Sequence, residues 1–84
     1  MGVYQSSLFK RQFKKLSLDV QRLARDRTDL FIENRHDPRL WTHKLKGPLS
    51  GYSAFSVNNS IRIIFEERGD NVLFLQIGNH DIYE

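Results

Sequence analysis

Apolar positions recur along this chain with two different periods, and the change between them divides it. Val3-Tyr4-Gln5 suits a short strand. Phe9, Phe13 and Leu16 then return at helical spacing, with Lys10, Arg11, Lys14 and Lys15 on the other side, which predicts a short amphipathic helix. Leu16-Ser17-Leu18-Asp19 offers a tight connection, with Asp19 placed to cap a second helix whose apolar positions are Val20, Leu23, Ala24, Leu30 and Phe31. An antiparallel helical hairpin is the expectation. Pro38 is expected to end the helical stretch, because proline holds the preceding residue extended and has no N–H to donate. A loop carrying Trp41 follows.

From Lys44 onward the period shortens. Leu45, Tyr52 to Val57, Ile61 to Phe65 and Val72 to Ile77 are β-branched or aromatic runs. Gly47-Pro48, Asn58-Asn59-Ser60 and Arg68-Gly69-Asp70-Asn71 separate them, and the last two separators are short enough for hairpins. The predicted fold is α+β: an N-terminal helical hairpin packed on a small curved antiparallel sheet, in the order β-α-α-β-β-β with room for one further strand. Strict alternation puts Ile61, Ile63 and Phe65 toward the helices and Arg62, Ile64 and Glu66 away. The same rule sets Val72, Phe74 and Gln76 opposite Leu73, Leu75 and Ile77. Two strands are therefore apolar on both faces. One helical hairpin covers one face only, so the other is filled by the chain's own loops or covered by a partner.

At 84 residues the chain is expected to form one domain, 1–84, with every element sharing one small core. It has no cysteine, which removes disulfides and thiolate metal sites. Neither a signal peptide nor a membrane span is evident, and a cytoplasmic protein is expected. The net charge of +3 is unevenly distributed: Met1 to Lys46 holds 11 Lys/Arg against 5 Asp/Glu, and Gly47 to Glu84 holds 2 against 5. A basic first half favours polyanions, either nucleic acid or an acidic protein segment.

Candidate chemistry gathers at the end of the chain, where His80, Asp81 and Tyr83 follow the last strand-like run. Arg62, set among Ile61, Ile63 and Ile64, must find an anion or reach solvent. It either pairs with Glu66 or Asp81, lies on an open sheet face, or clamps a phosphate with its planar fork. A central strand order would bring His43, His80 and Tyr83 to one sheet edge around Arg62. Imidazoles that exchange protons, a phenol that stacks or donates, and Lys44 and Lys46 to stabilise negative charge would suffice for cleaving an RNA phosphodiester. His36 has no evident partner. The separations of His36, His43 and His80 match no compact ligand motif, so neither a metal nor a cofactor is expected.

The order of elements and residues resembles the RelE/ParE superfamily of toxins from bacterial type II toxin–antitoxin modules. The resemblance is carried by Phe9, Phe13 and Lys15-Leu16; by His43-Lys44-Leu45-Lys46-Gly47 with Leu49 and Gly51-Tyr52; by Ile61-Arg62-Ile63-Ile64-Phe65; and by Ile77-Gly78-Asn79-His80-Asp81. It implies a ribosome-dependent endoribonuclease that cuts mRNA in the ribosomal A site without a metal, by 2′-OH attack giving a 2′,3′-cyclic phosphate. Position by position, Arg62 matches a strand arginine that contacts the scissile phosphate, and His80 matches a histidine used as acid or base. His43 matches a position held by histidine or glutamate in some branches, and Tyr83 lies close to a substrate-positioning aromatic residue. The resemblance departs at Ser56 and Ser60, where histidine-rich members carry a further histidine and aspartate in the central hairpin.

The superfamily also contains gyrase inhibitors without nuclease activity, and an inactive antitoxin-binding member is a third reading. The partners implied are a cognate antitoxin, laid over the two-faced apolar sheet, and the ribosome with mRNA in its A site. Neither a membrane nor a metal is among them.

Overall fold

Ser6 begins the first helix and also ties it to the sheet. The structure, a computed structural model, describes residues 1–83. Strand β1 spans Val3–Gln5 and helix α1 spans Ser7–Lys14. The Ser6 hydroxyl accepts the Phe9 N–H at 3.0 Å and donates to the Leu75 carbonyl at 2.7 Å. Helix α2 spans Leu18–Glu33. Its cap is Ser17, whose hydroxyl accepts the Val20 N–H; the expected cap, Asp19, sits one residue inside the helix. Ser17 already meets one of the free N–H groups, that of the third helical residue, and Asp19 adds only negative charge to the first turn.

The helical stretch ends earlier than expected. Asn34 closes the last turn of α2 by donating to the Leu30 carbonyl at 2.8 Å. Pro38 instead opens a single 3₁₀ turn, Pro38–Leu40, capped by Asp37. Proline suits that first position because its missing N–H would have no partner there. Leu40, fully buried, pins this turn into the core.

The remaining strands are β2 (His43–Lys44), β3 (Ser53–Ser56), β4 (Arg62–Arg68) and β5 (Asn71–Gly78). They form one five-stranded sheet in the order β1-β5-β4-β3-β2. The β2–β3, β3–β4 and β4–β5 pairs are antiparallel, as predicted, while β1 lies parallel to β5 at the edge. The β4–β5 hairpin closes over Gly69, whose φ of +59° is the positive value that a tight two-residue loop demands. Where β1 ends, α1 takes over the exposed edge of β5: the Ile77 N–H donates to the Gln12 side-chain oxygen at 2.9 Å. Buried backbone groups need such partners, and here a helix side chain supplies one that a strand would otherwise give.

Strict alternation fails at one place. Phe74 aligns with Phe65 and Gln76 with Ile64, leaving Leu75 without an opposite residue. This bulge turns the end of β5 over, so that Ile77 joins Val72 and Phe74 in the helix-side core instead of sharing a face with Leu73 and Leu75. That core is built on phenylalanines. Phe31 of α2 packs on Phe55 with ring centroids 4.5 Å apart, on Phe65 at 4.9 Å and on Phe74 at 6.0 Å.

The second face of the sheet is closed by the chain itself over part of its area. Ala54 and Ile64 are covered by Leu45, Leu49, Tyr52 and Leu75, together with Ile82 from a 3₁₀ turn, His80–Tyr83. Of the two alternatives left open for this face, the chain's own loops therefore fill this part of it. Near β1, Tyr4 remains largely exposed and Leu73 half-buried. Among the described residues, no helix is long and apolar enough to cross a membrane.

Candidate active site

The Asn58-Asn59-Ser60 turn sets the first candidate side chain. The Asn58 side-chain oxygen accepts the N–H groups of Ser60 (2.8 Å) and Ile61 (2.7 Å), folding the turn around itself. Arg62 follows as the first residue of β4, and its Nη1 donates to the carbonyl oxygens of Asn58 and Ile61. Pairing with Glu66 or Asp81, one of the alternatives left open for Arg62, is absent among the described residues: Glu66 is taken by Arg68, and neither carboxylate forms an ion pair with Arg62. Backbone carbonyls therefore orient the guanidinium without neutralising it. Its charge remains available to an anion.

Strand register places the end of β5 beside this arginine, because Arg62 aligns with Gly78. Asn79 then folds the chain back, accepting the Ile82 N–H on its carbonyl at 3.1 Å and the Asp81 N–H on its side chain at 2.9 Å. Ile82 is buried, and it anchors a turn that presents the His80 and Tyr83 rings with centroids 6.2 Å apart. Burial pushes the Tyr83 phenol above its usual pKa, more strongly than the nearby Arg62 charge pulls it down. Tyr83 is a neutral donor at physiological pH.

Gly78 makes that turn possible. A Cβ at this position would lie 2.7 Å from the Ile82 Cγ2 methyl, too close for either atom to stay in place. Gly78→Ala is expected to cost about 1–3 kcal/mol, as overpacking does, and to push the terminal turn outward. Urea unfolding checks the first effect, and changed His80 and Tyr83 ring chemical shifts check the second.

His43 approaches from β2, paired with Ala54 across the strand boundary. Its Nδ1 lies 2.8 Å from the Trp41 carbonyl oxygen. A carbonyl can only accept, so Nδ1 carries a proton, and in the tautomer this selects the lone pair is on Nε2. His43, Lys46, Arg62, His80 and Tyr83 line one open groove of ≈ 420 Å³, with Leu45 and Leu49 as apolar wall. Lys44, the next residue along β2, aligns with Ser53 and lines a different hollow beside Glu67. Adjacent strand residues point to opposite faces, which separates Lys44 from the group that Lys46 joins. His36 lies exposed in the turn after α2 and lines neither groove.

A second groove of ≈ 480 Å³ adjoins the first and shares His43 and Arg62 with it. Arg27, Arg39 and Trp41 also line it, and the sequence reading passed over all three in this role. Arg27 carried a signal: it falls three residues after Ala24 and four before Phe31, on the buried stripe of α2, where a charged residue asks for an explanation. Among the described residues, no group of three His, Asp or Glu side chains converges as metal ligands would.

No family model matches this chain, and no curated protein sequence matches it. Solved structures do. A YoeB/ParE toxin from Agrobacterium tumefaciens superposes with a TM-score of 0.78 over 95% of this chain and 99% of its own, at 13% identity. YafQ from E. coli gives 0.76 over 96% and 94% at 18% identity. A toxin–antitoxin complex from Mycobacterium tuberculosis gives 0.71 over 94% and 96% at 16% identity. This is the RelE/ParE toxin fold. Nearly whole-length superposition at such low identity means that the RelE/ParE-like arrangement of helices and sheet is kept while most side chains differ. The groove residues of this RelE/ParE-like chain therefore have to be argued from their own chemistry.

Proposed function

We propose that this chain is the toxin of a type II toxin–antitoxin module and acts as an endoribonuclease on mRNA in the ribosomal A site. One observation carries the reading: His43, Lys46, Arg62, His80 and Tyr83, drawn from three separate segments, converge on one open groove. The toxin fold and the toxin–antitoxin complex among its structural neighbours supply the biological setting, including a cognate antitoxin as partner.

In this reading the Nε2 lone pair of His43 takes the proton of the ribose 2′-OH. The freed oxygen attacks the adjacent phosphorus, and the bond from phosphorus to the 5′-oxygen breaks as the new one forms. His80, in its protonated form, returns a proton to the departing 5′-oxygen. Arg62 and Lys46 hold the non-bridging oxygens, whose charge grows in the transition state. The Tyr83 phenol donates a hydrogen bond to the substrate and offers a ring on which a base can stack. The products are a 2′,3′-cyclic phosphate and a 5′-hydroxyl.

The test is induction of wild type and His80→Ala in a bacterial host lacking antitoxin, with mRNA 5′-ends mapped on translated and untranslated transcripts. New ends confined to translated message, and reduced by about 10²–10⁴-fold in the variant as expected for loss of a general acid, support the proposal. Growth arrest with intact transcripts and altered DNA supercoiling would place the chain with the gyrase inhibitors. Unrestricted growth would make it an inactive antitoxin-binding member.

A further inference from the structure

The second groove shares His43 and Arg62 with the first, but Arg27, Arg39 and Trp41 on its other side have no part in the chemistry just described. Trp41 is the chain's only tryptophan and is 76% exposed. Its backbone is held on both sides, by buried Leu40 before it and by the His43 Nδ1–H bonded to its carbonyl. It is also the one non-glycine among the described residues with positive φ, at 52°. Such a backbone is sparsely populated and persists only where the surroundings impose it. The result is a large flat ring carried on a fixed backbone and left in solvent. Among the described residues, no aromatic ring stacks on it.

The charges around the indole are equally one-sided. Arg27 has no carboxylate partner among the described residues. Arg39 is held by Asp37 through two bonds, Nε to Oδ1 at 3.0 Å and Nη2 to Oδ2 at 2.9 Å, which fixes its plane. Arg62 reaches the same groove. Three guanidinium groups thus line the groove and, among the described residues, no carboxylate does. Asp37 and, at longer range, Glu33 act on Arg39 from outside it, and the result is a positive concavity beside an exposed ring.

We propose that this groove is a subsite for single-stranded RNA, holding a nucleotide next to the scissile phosphate with its base stacked on Trp41 and its phosphate on Arg27. The inference rests on the ribonuclease reading for what happens at the neighbouring groove, and it names where the rest of the strand lies. His43 and Arg62 line both grooves, so a strand bound in one passes directly into the other. An acidic peptide would satisfy the arginines but leave the indole without a partner. A nucleotide satisfies both, since stacking and phosphate contact together are how single strands are held.

The probe is a 2′-O-methyl hexaribonucleotide of mixed sequence, which keeps bases and phosphates but has no 2′-OH to react. Tryptophan emission reports only on Trp41, so saturable quenching by this oligomer, and not by an abasic chain of equal phosphate count, is the expected result. With a fluorescein-labelled oligomer followed by anisotropy, Trp41→Ala is expected to weaken binding about tenfold or more, and Trp41→Phe to retain most of it. Arg27→Gln is expected to weaken binding for all sequences and to lower the slope of log affinity against log salt by about 1.

Equal binding by wild type and Trp41→Ala overturns the proposal. So does quenching by octaglutamate without quenching by RNA, which would assign the groove to an acidic protein segment. The two readings fail separately. Quenching without mRNA cleavage removes the nuclease and keeps the subsite, whereas mRNA cleavage unaffected by Trp41→Ala, with no quenching, does the reverse.

Discussion

Arg62→Lys is expected to lose RNA cleavage by about 10²–10³-fold although it keeps the charge, the size of effect seen when one transition-state donor is removed. The argument lies in the shape of the guanidinium. Nη1 is committed to the carbonyl oxygens of Asn58 and Ile61, and this leaves Nε and Nη2 free of protein partners among the described residues. Two parallel N–H groups can meet two phosphate oxygens at once, whereas an ammonium is a point charge on a flexible stem. Held by backbone, the arginine would need no reorganisation as charge develops on the phosphorane.

Arg62→Ala should lose at least as much. Neither change should unfold the protein, because Arg62 is only half-buried and faces a groove open to water. Cleavage of a translated message by purified protein and ribosomes, read beside a thermal melt, checks both statements. Full activity in Arg62→Lys would show that the fork geometry is not used.

Phe31→Ala is expected to bring the domain close to unfolding. Phe31 is 1% exposed and meets three other phenylalanines, so its removal leaves a cavity that no neighbour can fill without moving a strand. Such truncations cost about 3–5 kcal/mol. A chain of this length commands roughly 4–13 kcal/mol in total at the usual stability per residue. The melting temperature should fall by roughly 12–40 °C on the scale for domains of this size. Trp41→Ala is the contrast, since deleting a ring already in solvent creates no cavity. Urea unfolding of the two variants side by side gives the comparison, and equal midpoints would contradict the assignment of Phe31 as the centre of the core.

Much of the fold was legible because its signals are local. The 3.6-residue recurrence of Phe9 and Phe13, the period of two after Lys44 and the turn chemistry at Asn58 and Gly69 each span only a few residues. The errors have equally local causes: Ser17 and Asp19 are both good caps two residues apart, and Pro38 marks a chain reversal that α2 never reaches. The bulge at Leu75 was not legible. It depends on how β5 aligns with β4 and on how α1 holds its free edge, contacts made between residues nine or more positions apart.

For the site the same division holds. From residue types alone, His43, Arg62, His80 and Tyr83 could be picked out, because an arginine in an aliphatic run and a histidine–tyrosine ending are unusual wherever they fold. The sequence also determined the α+β class and the resemblance to the toxin superfamily. Tertiary structure alone decided which lysine joins the groove: Lys44 lies on the face of β2 opposite to His43 and lines another hollow, while Lys46, beyond the end of β2, lines the groove with His43. It alone decided that the chain's own Ile82 closes the second sheet face, that Arg62 is oriented by carbonyls, and that Arg27, Arg39 and Trp41 share a groove with the catalytic candidates. The physical reason is that side-chain type is a property of single positions. Proximity in space is a property of strand register and packing, which no short stretch of sequence contains.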